Sequence, residues 1–117
     1  TRAHEYVFLF SKSEKYYYDW QAIMEPAAGP QQKSKNRRTV WNINTEPYPG
    51  SHFAVYPKAL VRICVAAGSS KNGRVLDPFF GSGTTGVVCN ELGRDCVGIE
   101  LNAEYAELAR ERLLRGH

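Results

Sequence analysis

The stretch "DPFFGSGTTG", residues 77 to 86, decides the fold of this chain. It follows the short run Arg74-Val75-Leu76, which is typical of a strand, and it precedes residues that favour a helix. Its glycines, at positions 81, 83 and 86, have the spacing G-x-G-x-x-G. Glycines let a ligand approach the backbone closely, and the free amides at the start of a helix face that ligand. The stretch therefore predicts a binding site at a turn between a strand and a helix.

Strands and helices alternate around this turn. The sequence predicts, in order, a strand, a helix, a strand and a helix over 74 to 77, 84 to 92, 96 to 100 and the residues after Asn102. Asn102 can cap the last helix with its side chain. The two strands of such a βαβα unit are parallel and joined by a right-handed crossover. We therefore predict the α/β class, with a partial Rossmann-like fold.

An acidic residue stands at the end of each predicted strand. Glu100 ends the second strand, 17 residues after Gly83, where a carboxylate can accept hydrogen bonds from both hydroxyls of a ribose. Asp77 ends the first strand, where a carboxylate repels a pyrophosphate and suits a cation such as the α-ammonium of a methionine moiety. Together they favour S-adenosylmethionine, which has no phosphate. The alternatives are a nicotinamide enzyme and a purely structural turn in which Asp77 caps the helix.

The sequence is less regular before the turn. "EYVFLFS", residues 5 to 11, predicts a buried strand, and "TVWNI", residues 39 to 43, predicts another short strand. Residues 25 to 34 are rich in Pro, Gly and Gln and predict an irregular loop. Pro57 suits the first turn of a helix, which we expect over about 57 to 67.

The stretch "KSKNRR", residues 33 to 38, carries four basic side chains and no acidic one, close to Trp41. A cluster of this kind contacts nucleic acid phosphates or is only a solvated surface. The net charge of +3 is too small by itself to decide between them. We predict a DNA contact through Lys33, Lys35, Arg37 and Arg38.

Composition excludes several classes of protein. The 117 residues allow one ordinary domain, and 43% apolar with 23% charged residues is typical of a globular chain. No apolar run reaches the roughly 20 residues of a membrane span, and the amino end has no secretory signal. The three cysteines have neither disulfide nor zinc spacing, so we predict no metal and a reducing, cytoplasmic setting. The chain does not begin with Met, so we expect a trimmed product or a fragment.

Several motifs occur in a characteristic order. They are "HFAVYPKALV", then "DPFFGSGTT", then "GRDCVGIELNAEYAELARERL". In this order the chain resembles the amino-methyltransferases of DNA whose cofactor half follows the catalytic half. The resemblance is strong over 37 to 114, and "HEYVFLFSKSEKYYYD" more loosely matches the strand before the target-recognition region. It implies S-adenosylmethionine as cofactor and DNA as partner, with methyl transfer to an exocyclic amine of a flipped adenine or cytosine.

The resemblance also implies a role for each residue that matches a motif. The residues that match the methionine end of the cofactor site are Asp77, Phe79, Gly81, Gly83 and Thr84. Glu100 matches the residue that holds the ribose. The residues that match the opposite wall are His52, Phe53, Tyr56 and Pro57, although Phe53 and Tyr56 can also be read as core. To this cofactor-binding set we add the neighbours Phe80, Ser82, Leu101 and Asn102.

One motif that the resemblance implies is absent from the sequence. The catalytic tetrapeptide Asp/Asn/Ser-Pro-Pro-Tyr/Phe needs adjacent prolines, and none of the six prolines has a proline neighbour. We therefore predict no catalytic residue. We divide the chain into a strand segment from the end of the catalytic half, 1–19, an irregular basic region left from target recognition, 20–44, and an S-adenosylmethionine-binding part, 45–117. The alternative is a module that binds S-adenosylmethionine or DNA without catalysis.

The predicted strand at 74 to 77 has consequences for assembly. In the resembled fold it is central, and the strand on one side of it carries the missing tetrapeptide. One edge of the strand is then bare, and bare edges recruit other strands. We expect Tyr6 to Phe10, a second copy of the chain, or a chain that supplies the catalytic half to pair there.

Overall fold

The structure, a computed structural model, describes residues 3–31, 33–47 and 55–116. These residues form one short 3₁₀ turn, Gln21–Ile23, and seven regular elements. The elements are β1 (Glu25–Pro26), β2 (Ser34–Lys35), α1 (Lys58–Gly68), β3 (Arg74–Asp77), α2 (Thr84–Leu92), β4 (Asp95–Gly98) and α3 (Ala103–Arg115). The order from β3 to α3 confirms the predicted βαβα unit.

Strands β3 and β4 pair in parallel, as predicted, with Arg74 opposite Asp95 and Asp77 opposite Gly98. The second strand lies at Asp95–Gly98 rather than at 96 to 100. The regular ladder ends there because the Phe79 amide, the next one on the β4 side after Asp77, donates to the Asp77 side chain at 3.0 Å instead. The backbone amide of Ile99 still donates to the Asp77 carbonyl at 2.9 Å, and the Phe80 amide donates to the Ile99 carbonyl at 2.9 Å, so the two segments stay paired as far as the glycine turn.

Helix α2 lies at the centre of the packed part of the molecule. All six residues from Thr84 to Cys89 are buried, and Val88 and Cys89 are completely inaccessible. The core cluster joins them to Val61 and Val65 of α1. A helix covered on every side must carry small or apolar residues all round, as "TTGVVC" does. Burial raises the pKa of the Cys96 thiol to about 12, with the neighbouring Cys89 adding to the shift.

Helix α1 begins at Lys58 and ends at Gly68, one residue later at each end than predicted. Pro57 is extended, with ψ 144°, so it precedes the first turn instead of joining it. Glu91 of α2 accepts hydrogen bonds from Lys58, at 3.0 Å, and from Arg62. Burial alone would raise the pKa of the Glu91 carboxyl, but these two cations lower it. The ion pairs therefore fix α1 against α2.

The ends of α2 and α3 follow their sequence signals. Gly93, with φ 75°, closes α2, and Gly116, with φ 74°, closes α3. Only glycine adopts this left-handed conformation without strain. The Asn102 side chain accepts hydrogen bonds from the amides of Glu104, at 2.9 Å, and Tyr105, at 3.2 Å. The prediction that Asn102 caps the last helix is confirmed.

The prediction of a buried strand at Glu5 to Ser11 is wrong. These residues form no strand, and Phe10 is 85% exposed. Alternate rings from His4 to Phe10 contact one another, with centroids 5.5 to 6.1 Å apart and geometries from edge-to-face to stacked. The continuous apolar pattern is typical of a strand covered on both faces. The described residues supply neither a partner strand nor a covering layer here, so the segment stays extended and exposed.

The other two predictions for the amino-terminal part are also wrong. Residues 25 to 34, predicted as an irregular loop, contain most of a small antiparallel hairpin in which β1 pairs with β2. The Ala27 amide donates to the Lys33 carbonyl at 2.7 Å and closes its loop. Residues 39 to 43 form no strand, because no described strand lies beside them to accept the pairing.

One edge of β3 has no partner strand among the described residues. The carbonyls of Gly73 and Asp77 accept hydrogen bonds from the β4 side, so the backbone groups of Arg74 and Leu76 point to the other edge. The Leu76 side chain is 62% exposed. A groove of about 480 Å³ runs between this strand and α1, and Val7 reaches into it. The amino-terminal segment therefore touches the groove but does not fill the gap as a strand.

Within the parts of the chain that the structure describes, no helix has the length and apolar character needed to cross a membrane.

Candidate cofactor-binding site

The glycine turn connects β3 to α2 through residues in the left-handed region. Gly81 has φ 55° and Gly83 has φ 86°, so a side chain at either position would be strained. A Cβ on Gly81 would still lie in open space, 4.0 Å from the nearest atom, the Phe79 carbonyl oxygen. A Cβ on Gly83 would lie 3.0 Å from the Cβ of Ala109. Gly81 therefore leaves the outer face of the turn accessible, whereas Gly83 lets α3 approach it.

The ring of Phe80 explains two further glycines. A Cβ on Gly86 would lie 2.8 Å from the Phe80 ring, and one on Gly98 would lie 2.3 Å from it. No side chain can share that space unless the ring moves. The third glycine of the motif thus makes room for side chains of the protein itself, the Phe80 ring and Leu113, which is also 2.8 Å from that Cβ. Gly98 has the same role but lies outside the motif, so the sequence pattern did not reveal it.

The Asp77 carboxylate is held at the end of β3 by three hydrogen bonds. Its Oδ2 accepts from the hydroxyls of Tyr56, at 2.9 Å, and Thr85, at 2.6 Å. Its Oδ1 accepts from the Phe79 amide at 3.0 Å. No described side chain caps the start of α2, where Gly83 is the capping residue. The alternative in which Asp77 serves only as a helix cap is therefore wrong.

The Glu100 carboxylate lies just beyond the end of the neighbouring strand, β4. Its Oε1 accepts from the Gly81 amide at 2.8 Å, and its Oε2 accepts from the Asn102 amide at 2.9 Å. Because β3 and β4 are parallel neighbours, Asp77 and Glu100 both lie at the end of the sheet where the strands finish. The structure brings both predicted carboxylates to the two sides of the glycine turn.

A buried arginine supports the turn from behind. Arg112 of α3 is 5% exposed, and its Nη1 donates to Ser82 Oγ at 3.1 Å and to Thr84 Oγ1 at 2.7 Å. Both hydroxyl residues are buried as well. Arg112 was not among the predicted site residues. The available signal was its position three residues after Ala109, which places both on the buried face of α3.

Tyr56 precedes α1 and contributes its hydroxyl to the same end of the sheet. Burial raises the pKa of the Tyr56 phenol, and the neighbouring Asp77 carboxylate raises it further. The phenol is therefore protonated at neutral pH and acts as a donor. Thr85 was not among the predicted site residues, although it makes the shortest of the Asp77 contacts.

The remaining predicted cofactor residues differ in exposure. Phe79 is 85% exposed and Leu101 is 100% exposed, so two apolar side chains stand open on the outer side of the turn. The Phe80 ring points inward instead, against the glycines. Pro57 lies directly before α1. His52 and Phe53 lie outside the described residues.

The predicted DNA contacts lie in and after the β1–β2 hairpin. Glu25 pairs with Lys35 at 3.7 Å and with Arg37 at 3.8 Å. Arg37 also donates from Nε to the Ile23 carbonyl at 2.8 Å. Lys33 and Arg38 are exposed. Half of the basic stretch is thus already engaged with an acid that precedes it in the sequence.

The family model described as DNA methylase, for N6 and N4 methyltransferases, matches residues 1–111. Among characterised relatives, the Type II methyltransferase M.SmaI of Serratia marcescens is 73% identical over 98% of this chain and 39% of its own length. M.XycI of Xanthomonas campestris pv. cyanopsidis is 55% identical over 97% of this chain and 37% of its own length. The chain therefore spans about two fifths of the length of these relatives.

Solved structures agree with the fold. The complex of M1.HpyAVI with SAM superposes with a TM-score of 0.61, at 31% identity, over 85% of this chain and 44% of that one. The cytosine-N4-specific PvuII DNA methyltransferase superposes with a TM-score of 0.59, at 20% identity, over 70% of this chain and 39% of that one. The predicted α/β, partial Rossmann-like methyltransferase fold is confirmed. The predicted cofactor is the one bound in the M1.HpyAVI complex.

Proposed function

The chain belongs to the DNA methylase family of N6 and N4 methyltransferases, and from that premise we propose that it is the S-adenosylmethionine-binding part of a DNA methyltransferase. The enzyme methylates an exocyclic amino group of adenine or cytosine. The observation that carries the proposal is the pair of carboxylates, Asp77 and Glu100, on either side of a glycine turn at the end of a parallel sheet.

The charges of this site fit S-adenosylmethionine better than a dinucleotide. The Asp77 carboxylate attracts a cation and would repel a pyrophosphate. Glu100 has one lone pair per oxygen left after its two backbone bonds, and the hydroxyls of a ribose are suitable donors for them. The open outer face of Gly81, with Phe79 and Leu101 exposed beside it, leaves room and apolar surface for the rest of the ligand.

We propose that the isolated chain binds the cofactor but does not transfer its methyl group. The 117 residues contain no Asp-Pro-Pro-Tyr-type tetrapeptide, which the resemblance assigns to the polarisation and stacking of the target base. S-adenosylmethionine supplies an electrophilic methyl when bound; the residues of this chain orient the two ends of the cofactor. A second candidate function, a module that binds S-adenosylmethionine or DNA without any catalytic partner, agrees with the same absence.

We also propose that the hairpin and the residues after it contact DNA phosphates in the complete enzyme. Lys33 and Arg38 are the basic side chains that are exposed and can meet an anionic backbone. Lys35 and Arg37 share the charge of Glu25, so their contribution is smaller.

Assembly with another chain follows from the free edge of β3. We propose that a strand from the chain that supplies the catalytic half, or from a second copy, pairs with Arg74 and Leu76. If the isolated chain stays monomeric by light scattering at high concentration, the proposal of a second copy fails. If the Leu76 amide is also protected from hydrogen exchange in the monomer, the unpaired side of β3 is already covered, and the proposal of an added strand fails.

We place the chain in the cytoplasm, and its three free cysteines, at 64, 89 and 96, suit a reducing compartment.

Isothermal titration calorimetry with S-adenosylmethionine and with its demethylated product tests the central proposal. We expect weak, saturable binding of both by the isolated chain. A methyl-transfer assay on duplex DNA should give no product with this chain alone and should give product after addition of the catalytic half. Transfer by the chain alone contradicts the assignment of catalysis to another segment, and restored transfer with a partner excludes the non-catalytic module.

A further inference from the structure

Three oxygen atoms from three different elements form a closed triangle at the end of β3. Tyr56 Oη lies 2.9 Å from Asp77 Oδ2, Thr85 Oγ1 lies 2.6 Å from the same atom, and the two hydroxyl oxygens lie 3.0 Å apart. Tyr56 comes from the segment before α1, and Thr85 from the first turn of α2. The triangle therefore depends on the packing of both helices against the strand.

The hydrogen bonds distinguish the two oxygens of the carboxylate. An ionised carboxylate oxygen has two lone-pair directions. Both directions on Oδ2 are used by the hydroxyls of Tyr56 and Thr85, whereas Oδ1 accepts only the Phe79 amide and keeps one direction available. A ligand that donates to Asp77 can therefore do so through Oδ1 without displacing a bond that the protein already makes.

We propose that Tyr56 and Thr85 are positioning residues that fix the rotation of the Asp77 carboxylate and present Oδ1 to the α-ammonium of the cofactor. This inference rests on the proposed function, because it concerns the methionine end of S-adenosylmethionine. Neither hydroxyl needs to touch the ligand. Their role is to prevent the carboxylate from turning about its last side-chain bond, so that binding does not have to order it.

Thr85 is the stronger of the two holders. It is 7% exposed, makes the shorter contact, and belongs to a helix buried on all sides, so its hydroxyl has little freedom. Tyr56 is 42% exposed and lies in a less regular segment. Loss of the Thr85 hydroxyl should therefore disturb Asp77 more than loss of the Tyr56 hydroxyl.

Two ligands and matched variants test the proposal. S-adenosylhomocysteine carries the α-ammonium, and 5′-methylthioadenosine has the same nucleoside without the amino acid. We expect Tyr56→Phe to weaken S-adenosylhomocysteine about threefold and Thr85→Val about tenfold, the range for loss of one or two hydrogen bonds around a charged group. Thr85→Ser retains the hydroxyl and should bind as the unsubstituted chain does. Methylthioadenosine should bind equally to all of them.

The controls separate positioning from a general loss of structure. Tyr16→Phe removes a hydroxyl from a tyrosine that is 54% exposed and should change neither affinity. Circular dichroism and thermal melting establish that each variant is folded. If Thr85→Val does not fold, Thr85→Ser provides the test. This variant retains the hydroxyl, so a loss of its preference for S-adenosylhomocysteine over methylthioadenosine would overturn the proposal. Equal weakening of both ligands, or unchanged binding of S-adenosylhomocysteine in Tyr56→Phe and Thr85→Val, also overturns it. If the unsubstituted chain binds neither ligand, the proposed function falls as well.

Discussion

The two parts of the molecule on either side of residue 50 differ in how they are held. Residues 55–116 bury the whole first half of α2 among α1, α3 and β4. In residues 3–47 only Ile23 is buried among those described. The link to the rest includes the 2.9 Å hydrogen bond from the Asp19 amide to the Ala67 carbonyl. A segment adopts the structure that its sequence favours when other parts of the chain pack against it. The described residues of the amino-terminal part have few such contacts.

The largest effect should come from filling the space beside Phe80 in the well-packed part. We expect Gly98→Val to lower the free energy of unfolding by about 3 kcal/mol, because a Cβ there would lie 2.3 Å from the ring. Chemical denaturation followed by circular dichroism measures the change. Gly68→Ala is the matched control, since a Cβ at Gly68 meets nothing within 4 Å, and it should be neutral or slightly stabilising. Equal costs at both glycines would contradict the assigned role of the ring.

A smaller effect should appear in the site that the same part supports. Glu100→Ala should weaken the binding of S-adenosylmethionine by about 1 to 3 kcal/mol, because two ribose hydroxyls lose a charged acceptor. Calorimetry gives the difference directly. Glu104→Ala, on the exposed first turn of α3, removes an acidic side chain without touching the turn and should leave the affinity unchanged. Unchanged affinity in Glu100→Ala would remove this residue from the site.

Substitutions in the amino-terminal part should change the affinity for DNA rather than the free energy of unfolding. Neutralising Lys33 and Arg38 to Gln should reduce the slope of log affinity against log salt by about 2, because each phosphate contact releases close to one counterion. The paired variant, with Lys35 and Arg37 neutralised, should reduce it less, since Glu25 already engages both. Fluorescence anisotropy of a labelled duplex, titrated at several salt concentrations, measures both slopes. If neither pair alters the slope, the stretch is a solvated surface.

The smallest effect should come from the exposed aromatic rings. Replacing Tyr6, Phe8 and Phe10 together by Ser should change the free energy of unfolding by less than about 0.5 kcal/mol, because all three rings are more than 70% exposed. A thermal melt of the triple variant beside that of Val88→Ala, which removes methyl groups from a fully buried residue, gives the comparison. A large loss in the triple variant would mean that these rings are covered in solution.

The features that could be predicted from the sequence follow the same division. Gly93, Asn102 and Gly116 act through neighbours within a few residues, so their effects can be read directly from the sequence. The strand predicted at Glu5 to Ser11 needs partners from distant parts of a chain, and local pattern cannot say whether they are present. The segment is apolar, as a buried strand would be, but whether its residues are buried depends on which other segments pack against it.

In the candidate site, the sequence identified both carboxylates and most of the residues that donate to them, and it missed Thr85. Asp77 and Glu100 could be found because strand ends and glycine spacing have recognisable patterns. Thr85, Gly98 and Arg112 act through contacts between elements, and the local sequence does not show the partners; the spacing of Arg112 from Ala109 indicates its burial but not what it binds. The basic stretch was also read without Glu25, because the hairpin that brings them together was predicted as a loop.

The ring of Phe80 places an inherited constraint on positions that are far apart in the sequence. Because the ring occupies the space beside both Gly86 and Gly98, a larger residue at either glycine requires a smaller one at position 80, and at Gly86 the Leu113 side chain must also give way. The three positions should therefore covary as one unit in evolution. A compensating change of this kind would also alter the packing beneath the glycine turn. Substitutions in the core can therefore affect the candidate cofactor site through the Phe80 side chain.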